Sequence, residues 1–299
     1  MEILDKLGEI QEYENIKMIP IIGNENKIED LLDLKTGFEM GIVEVKECDP
    51  ETVNTIIVIN NAVTPLIIFD GEQIEGAKQN RIINQTIIIP PKTEMKVPVS
   101  CTEQGRWSYK SEFKHSSYFA NSDTRRSKRQ ALDSGHDSQH KVWMAISDLE
   151  KRCYVESNTS ALLDTYNATK VKKDEYLNNF NLIDNQIGAI FSINNKFKGM
   201  EILNDSDIYK RYHDMILNSY IIDAISTKDE ENDNEDNLQE FLENFSNLEQ
   251  EELKSIGIEK VYKESNGEII GTVATYKDDL IHATYFRKEK EEPIRDVLY

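Results

Sequence analysis

Two dense polar clusters hold the side chains in this sequence that are best suited to chemistry. The first cluster is Glu75–Arg81 and the second is Ser100–Trp107. Arginine side chains fork onto phosphate or carboxylate groups, asparagine and glutamine match amide and base edges, and an indole stacks on flat rings. These residue types suit a nucleotide-like anion. The alternative without a functional role is a solvated loop, with a surface ion pair between Arg81 and Glu103 worth about 0–1 kcal/mol.

Two strand-like runs adjoin the clusters and would position them. The run 81–89 is rich in isoleucine and ends at two prolines, while 95–101 alternates apolar and polar residues. A period of two is typical of a half-buried strand, and the short connection predicts an antiparallel hairpin. If the prolines close that hairpin, Arg81 faces Glu103, although a slip of one residue would exchange the two faces. The spacing therefore predicts both clusters at the open end of one hairpin.

A ligand pocket is expected at this open end. Glu103 would orient an arginine, or act as a general base if the protein is an enzyme. Charge-assisted contacts with three side chains give roughly 5–9 kcal/mol gross, and association costs about 4 kcal/mol or more, so that stacking on Trp107 is needed for micromolar binding. The candidate ligand residues within the two clusters are Gln79, Asn80, Arg81, Arg106 and Trp107.

The two clusters together resemble the ARG-and-rhodanese-phosphatase-associated domain family. The motif 76–81, followed by 99–107, carries the resemblance, which extends from about residue 40 to residue 290. It implies a link by context to ADP-ribose and NAD-derived metabolism or signalling, without a defined reaction. It also adds Gln139 and His282 to the candidate ligand residues. Further matching positions are Trp143, Gly188, Ala189, Ile190, Ser219, Tyr220 and Gly271.

The distribution of strand and helix patterns predicts an α+β fold. Strand patterns fill the first hundred residues, which favours an antiparallel β-sheet assembly, either a sandwich or an open barrel. A helical middle region follows, and the runs 258–263, 268–276 and 280–287 predict a C-terminal β-meander. We expect a single domain over 1–299, with a helical subregion at about 205–255.

Several local signals locate individual elements. Asp70-Gly71 predicts a tight hairpin that pairs 66–69 with 72–76. Asp205 is a suitable N-cap for a helix that runs to about Ser226. Apolar residues at helical spacing over 238–245 predict a short amphipathic helix within the acidic region.

Charge is uneven along the chain, whose formal net charge is −20. This charge argues against DNA or RNA as a partner because phosphate repulsion would have to be overcome. The run 229–252 contains eleven acids without a lysine or arginine. The segment 106–129 is basic with interleaved aromatic residues. It is interpreted as a mobile surface loop, with phosphate contacts from Arg125, Arg126 or Arg129 as the alternative.

Neither a metal nor a cofactor is predicted. His136 and His140 lie four residues apart, but two histidines and one acid fall short of the usual ligand set. Cys101 belongs to the apolar face of its strand and is expected in the core rather than as a nucleophile. Three widely spaced cysteines suggest no disulfide framework. The start of the chain shows no signal peptide and no apolar run reaches membrane-spanning length, so a cytoplasmic location away from membranes is expected.

Three functional hypotheses remain open from the sequence. The first is a protein that binds, and processes if it is an enzyme, an ADP-ribose-like or NAD-derived nucleotide at the open end of the 81–103 hairpin. The second is a non-catalytic protein that sequesters or senses a nucleotide signal. The third is an acidic protein-interaction module that uses 229–252 to dock a basic partner. A homo-oligomer is compatible with each of them.

Overall fold

The computed structural model of this chain describes residues 6–23, 31–230 and 235–289, and these form an α+β fold that is mostly antiparallel sheet. The predicted fold class is therefore confirmed. In chain order the strands are β1 (Gln11–Tyr13), β2 (Ile16–Ile22), β3 (Leu32–Asp33), β4 (Val43–Glu47), β5 (Thr55–Asn60), β6 (Leu66–Ile68), β7 (Glu72–Glu75), β8 (Arg81–Ile83), β9 (Ile87–Ile89), β10 (Thr93–Cys101), β11 (Lys114–Phe119), β12 (Gln186–Ile193), β13 (Lys196–Ile202), β14 (Glu249–Leu253), β15 (Lys260–Ser265), β16 (Ile269–Tyr276) and β17 (Asp279–Arg287). The α-helices are α1 (Leu34–Glu39), α2 (Ser122–Asp133), α3 (Ser138–Arg152), α4 (Leu162–Ala168), α5 (Lys170–Leu177), α6 (Ser206–Ser226) and α7 (Leu238–Glu243), and α7 continues as a 3₁₀ turn over Asn244–Asn247.

The described strands form three sheets. An eight-stranded sheet has the order β1-β2-β12-β13-β17-β16-β15-β14, and a six-stranded sheet has the order β11-β7-β8-β10-β5-β4. A three-stranded sheet, β3-β6-β9, includes a parallel pair between β3 and β6. The predicted C-terminal meander is confirmed as β15-β16-β17, which joins the eight-stranded sheet through β13.

Helix α6 is buried along most of its length and packs against β12 and β11. It begins where predicted, because the Asp205 carboxylate accepts a hydrogen bond from the Ile208 backbone N–H at 2.9 Å. That bond satisfies one of the free N–H groups of the first turn. The buried hydroxyls of Tyr209 and Tyr220 bond to Gln186 and Glu201 at 3.1 and 2.9 Å. The helix therefore adds polar anchors to an otherwise apolar core.

The predicted hairpin over 81–101 is confirmed only at its open end, where β8 and β10 pair antiparallel, and is wrong nearer the turn. Strand β9 leaves it and pairs with β6, while β10 pairs first with β5 and only at its end with β8. In that end segment Arg81 faces Cys101 rather than Glu103, a two-residue displacement that keeps the same side chains on each face. The three isoleucines of β9 are fully buried, as expected for a strand covered on both sides, and this burial favours the separate sheet.

The predicted hairpin at Asp70-Gly71 is also wrong. Strand β6 pairs with β3 and β9, whereas β7 pairs with β8 and β11. The turn therefore carries the chain from one sheet to another. Gly71 has φ +83° and its N–H donates to the Ile83 carbonyl at 2.9 Å, while the aliphatic part of Arg125 packs on its Cα. A glycine is required there because a side chain would occupy the space of Arg125.

The basic segment 106–129 is not a surface loop over its second half. It forms β11 and the first turns of α2, and the cations of α2 are buried. Two of these charges have acidic partners from other elements, Glu201 for Arg125 and Asp70 for Lys128, which makes their burial tolerable.

The acidic region also forms the predicted short helix, here α7. Phe241 of α7 stacks on Phe197 with ring centroids 4.4 Å apart. Within the described part of the acidic run, Glu235 pairs with Lys17, and Asp236 pairs with Lys196 at 2.8 Å. These acids therefore neutralise cations of the eight-stranded sheet rather than those of the segment 106–129.

Candidate functional site

The six-stranded sheet brings the two polar clusters together. Arg81 begins β8 and faces Cys101, the last residue of β10. One step further, the Thr102 backbone N–H donates to the Asn80 carbonyl at 3.0 Å. The clusters Glu75–Arg81 and Ser100–Trp107 are consequently neighbours, as predicted, although the part of the expected hairpin nearer the turn does not form.

Arg106 and Glu103 form a buried ion pair with two hydrogen bonds. The Arg106 Nε and Nη2 atoms donate to the two Glu103 oxygens at 2.7 and 2.6 Å. The other Arg106 donors reach the carbonyls of Ala77 at 2.7 Å and Ser108 at 2.8 Å. Glu103 also accepts from Asn80 N at 3.2 Å, and its remaining capacity is used by a threonine hydroxyl. The pair links the two clusters. It also occupies Nε and Nη2 of Arg106, so these two donors are not available to a ligand.

Gln79 and Asn80 also hold the backbone of the clusters. Gln79 Nε2 donates to the Glu103 carbonyl at 3.0 Å, and Asn80 Oδ1 accepts from the Gly76 N–H at 3.0 Å. The buried Gln79 Oε1 has no hydrogen-bond partner among the described residues. The amides therefore shape the turn, and Gln79 retains one acceptor for another group.

Arg81 is fully buried and only weakly bonded. Its Nη1 donates to the Asn80 carbonyl at 3.4 Å, whereas Nε and Nη2 have no acceptor within the part of the chain that the structure describes. Nη2 lies 3.9 Å from a Glu47 oxygen. Burial is the first cause that lowers the pKa of Arg81. Nε and Nη2 form the side-on fork of a guanidinium group, which matches two oxygens of a phosphate or carboxylate.

Trp107 lies beside this fork and is 46% exposed. The Arg81 guanidinium carbon is 5.8 Å from the centroid of the indole ring, and Lys78 Nζ is 5.4 Å from it. Lys78 also pairs with Glu51. A half-exposed aromatic ring thus lies against a buried arginine and a lysine.

Gln139 lies close to the clusters but has a structural role. Its Oε1 accepts from Cys101 N at 2.8 Å and its Nε2 donates to Cys101 O at 2.9 Å. The side-chain amide thereby replaces a neighbouring strand at the end of β10. Cys101 is fully buried, and burial raises the pKa of its thiol, so that its predicted place in the core is confirmed.

His282 belongs to a different, fully buried group. Its Nδ1 lies 2.6 Å from Thr86 Oγ1, and its Nε2 lies 3.9 Å from Glu201 Oε2. Burial lowers the pKa of His282 to about 3, and the imidazole is therefore neutral. The structure does not bring His282 together with Arg81 and Trp107 through any of these contacts.

Two residues of the site were missed by sequence reasoning. Lys78 lies inside the first cluster, three residues before Arg81. Its presence in the same motif as Arg81 could have identified it as a residue of the site. Glu47 ends β4 and accepts from the Lys78 backbone N–H at 3.2 Å through one oxygen, while its other oxygen has no partner among the described residues. No local pattern connects Glu47 with the clusters, because the contact depends on how the chain folds over them.

The described residues offer neither a metal-binding cluster nor a membrane-spanning helix. They contain no group of three or more histidine, cysteine, aspartate or glutamate side chains placed to hold a metal ion. Among the same residues, no helix combines the length and the apolar character needed to cross a membrane.

The fold and the site define an α+β protein, rich in antiparallel sheet, with an arginine-centred polar cluster at the end of its six-stranded sheet. The chain belongs to the family of the ARG and rhodanese-phosphatase-superfamily-associated protein domain, whose model matches residues 6–286. The resemblance expected from the two motifs is thus confirmed over nearly the whole chain. Curated proteins provide no significant match, and solved structures provide none either.

Proposed function

We propose that this protein binds an ADP-ribose-like or NAD-derived nucleotide at the cluster formed by Arg81, Trp107, Lys78 and Glu47. The observation that carries the proposal is the side-on fork of Arg81, which is buried beside Trp107 and has no acceptor among the described residues. A buried guanidinium without acceptors is costly, and an oxyanion is the group that satisfies it best.

Each part of a nucleotide has a counterpart in this cluster. The Arg81 fork suits a phosphate, and Lys78 adds a second positive charge when it leaves its pair with Glu51. The unpartnered Glu47 oxygen suits a ribose hydroxyl donor. Trp107 is the only indole at this edge of the cluster within the described residues, and it would move aside and stack on the base.

The expected affinity is modest. Contacts from Arg81 and Lys78 contribute roughly 3–6 kcal/mol gross, and stacking on Trp107 contributes about 1–3 kcal/mol. Association costs about 4 kcal/mol or more. The surplus is at most about 5 kcal/mol, which corresponds to a dissociation constant of roughly 0.2 mM or weaker. Arg106 adds nothing to this sum because its Nε and Nη2 are already bonded to Glu103.

The family's description states only an association with the ARG and rhodanese-phosphatase superfamily. The choice of an ADP-ribose-like ligand therefore rests on the residue types of the cluster and on the expectation raised by the two motifs. Glu103 serves in this proposal to orient Arg106. Since its oxygens already accept hydrogen bonds from three residues, we favour binding or sensing of the nucleotide over catalysis by this carboxylate. Free thiols at Cys48, Cys101 and Cys153 fit a cytoplasmic setting.

Binding is tested by titrating the full chain with ADP-ribose, NAD and cyclic ADP-ribose and following tryptophan fluorescence and heat. We expect Arg81→Gln to weaken binding by tenfold or more and Arg81→Lys to weaken it nearly as much, because lysine keeps the charge but lacks the fork. Trp107→Ala should also weaken binding. Tyr109→Ala is the matched control, since Tyr109 is an exposed aromatic residue two positions away. Equal affinity in the wild type and Arg81→Gln would refute the proposal.

Chromatography of the same mixtures separates the enzyme from the sensor. Intact nucleotide recovered after denaturation indicates sequestering or sensing, whereas a new product indicates catalysis. If a product appears and Glu103→Gln abolishes it while the ligand still binds, Glu103 acts as the base despite its hydrogen bonds.

A further inference from the structure

Helix α2 buries three cations on one face, away from the nucleotide cluster. Arg125, Lys128 and Arg129 are spaced at i, i+3 and i+4, which places them side by side on a helix. Each has less than a tenth of its surface exposed. Burial lowers the pKa of Lys128, and its two arginine neighbours lower it further, in agreement with their close approach.

The three cations differ in how their donors are used. Lys128 is fully satisfied, since Nζ donates to Asp70 and to the carbonyls of Ile83 at 3.1 Å and Asn84 at 3.2 Å. Arg125 pairs with Glu201 through Nη2 only. Its Nε and Nη1 have no acceptor among the described residues.

Aromatic rings do not replace the missing acceptors of Arg125. Phe119 and Phe286 lie 5.6 and 5.0 Å from its guanidinium carbon. Such rings interact with the face of a guanidinium group, whereas its N–H groups point outward in the plane. The Nε and Nη1 atoms of Arg129 are likewise buried and have no acceptor within the described chain.

The charges around this face do not balance. Three cations are accompanied by two buried acids, Asp70 and Glu201. His282 also faces the group and is neutral. Asp133, one turn beyond Arg129, pairs with Lys263 near the surface. Among the described residues one positive charge is left over, and an unpaired buried charge is strongly destabilising.

We propose that the buried face of α2 binds one small inorganic anion between Arg125 and Arg129. The anion supplies the missing negative charge and accepts from the free guanidinium N–H groups. Thr284 adds a hydroxyl, since it is the cross-strand partner of Glu201 and its buried Oγ1 has no partner among the described residues. Because Arg125, Arg129 and Thr284 are all buried, this position suits a halide or a small free oxyanion better than a nucleotide. The proposal therefore does not depend on the nucleotide cluster at Arg81.

The test exchanges the full chain into gluconate, an anion too large for the enclosed face. Thermal unfolding is then followed while chloride, sulfate or phosphate replaces gluconate at constant ionic strength. We expect a saturable rise in the Tm with at least one of these ions. Denaturation of protein that was desalted from that ion should release about one equivalent per chain, measured by ion chromatography, because an enclosed ion exchanges slowly.

Variants locate the effect. Arg129→Gln removes the surplus charge and should abolish the dependence of the Tm on the anion, with a Tm in gluconate at or above that of the wild type. Arg126→Gln is the matched control, since Arg126 lies on the same helix and pairs with Asp123 and Glu289. It should keep the dependence. A wild-type Tm that is independent of the anion, with no ion released, would show that water satisfies these groups and overturn the proposal, as would an unchanged dependence in Arg129→Gln.

Discussion

Arg106 and Glu103, three residues apart, form a two-bond ion pair at the point where the two polar clusters meet, with N–O distances of 2.7 and 2.6 Å. Both side chains are nearly buried. The arginine also bonds to carbonyls of the first cluster, and the carboxylate bonds to the Asn80 N–H. Two residues that looked available for a ligand therefore connect the end of β10 to the preceding cluster.

The first prediction concerns that ion pair. Glu103→Gln leaves the buried Arg106 charge without its partner, and we expect a loss of about 3–5 kcal/mol in the free energy of unfolding. Urea denaturation measures this loss. Asp148→Asn is the control, because Asp148 and Lys151 form an i, i+3 pair that is exposed, and its loss should cost less than about 1 kcal/mol. Similar effects for the two substitutions would contradict the structural role of Glu103.

The second prediction concerns the amide that completes β10. Gln139→Ala removes two hydrogen bonds and leaves the Cys101 N–H and carbonyl without partners, which should cost about 2–3 kcal/mol. His140→Ala, at the next and exposed position of α3, should change stability by less than about 0.5 kcal/mol. Chemical denaturation of both variants checks the difference, and amide exchange at Cys101 should accelerate only in Gln139→Ala.

The third prediction concerns two glycines with positive φ. Gly41→Ala (φ +67°) places a methyl group in open space and should cost only the backbone strain of about 1 kcal/mol. Gly71→Ala (φ +83°) carries the same strain and also displaces the buried Arg125 from Glu201. We expect at least about 3 kcal/mol for Gly71→Ala. Equal stability of the two variants in thermal and urea unfolding would contradict this reasoning.

The fourth prediction is a pH dependence that arises from Asp223. Its carboxylate accepts from Asn121 Nδ2 and Ser122 Oγ, both at 2.6 Å, and from the Asp123 N–H at 3.1 Å, so that α6 caps the start of α2. Burial, followed by the charge of Asp123, raises the pKa of Asp223 from 3.8 to about 6. Asp123 itself has its pKa lowered to about 2, because nearby cations led by Lys198 outweigh the effect of its burial.

Between pH 3.8 and about 6 the folded protein holds a proton on Asp223 that the unfolded chain has lost. The stabilisation from this proton is complete below pH 3.8 and is lost as the pH rises through 6, by about 3 kcal/mol. The stability contributed by Asp123 is lost only towards pH 2. We therefore expect the wild type to lose stability relative to Asp223→Asn as the pH rises from 4 to 7. A constant difference would show that Asp223 does not titrate there.

Local patterns in the sequence predicted the elements that depend on neighbouring residues. The start of α6 follows from a side chain three positions from the N–H that it caps, and β15-β16-β17 follow from alternation and tight turns. The residue types of the two clusters, and the family that they indicate, were also readable because they are contiguous in the chain.

Strand partners could not be read in the same way. The isoleucines of β9 suit a hairpin with β10 as well as a pairing with β6, and the choice depends on which arrangement buries both faces of the strand. The burial of Arg125 and Lys128 likewise depends on Glu201 and Asp70, acids supplied by other elements. Periodicity does not contain this information, because it reports which face is apolar and not what covers that face.

The sequence by itself determined the α+β class, the C-terminal meander, the helices α6 and α7 and the family, since each rests on short-range hydrogen bonding or on contiguous motifs. Only the tertiary structure decided which polar groups remain free. Glu103 and Arg106 satisfy each other, whereas Arg81 keeps an open fork. The physical reason is that a hydrogen-bonding group is available to a ligand only after every acceptor brought near it by folding has been counted.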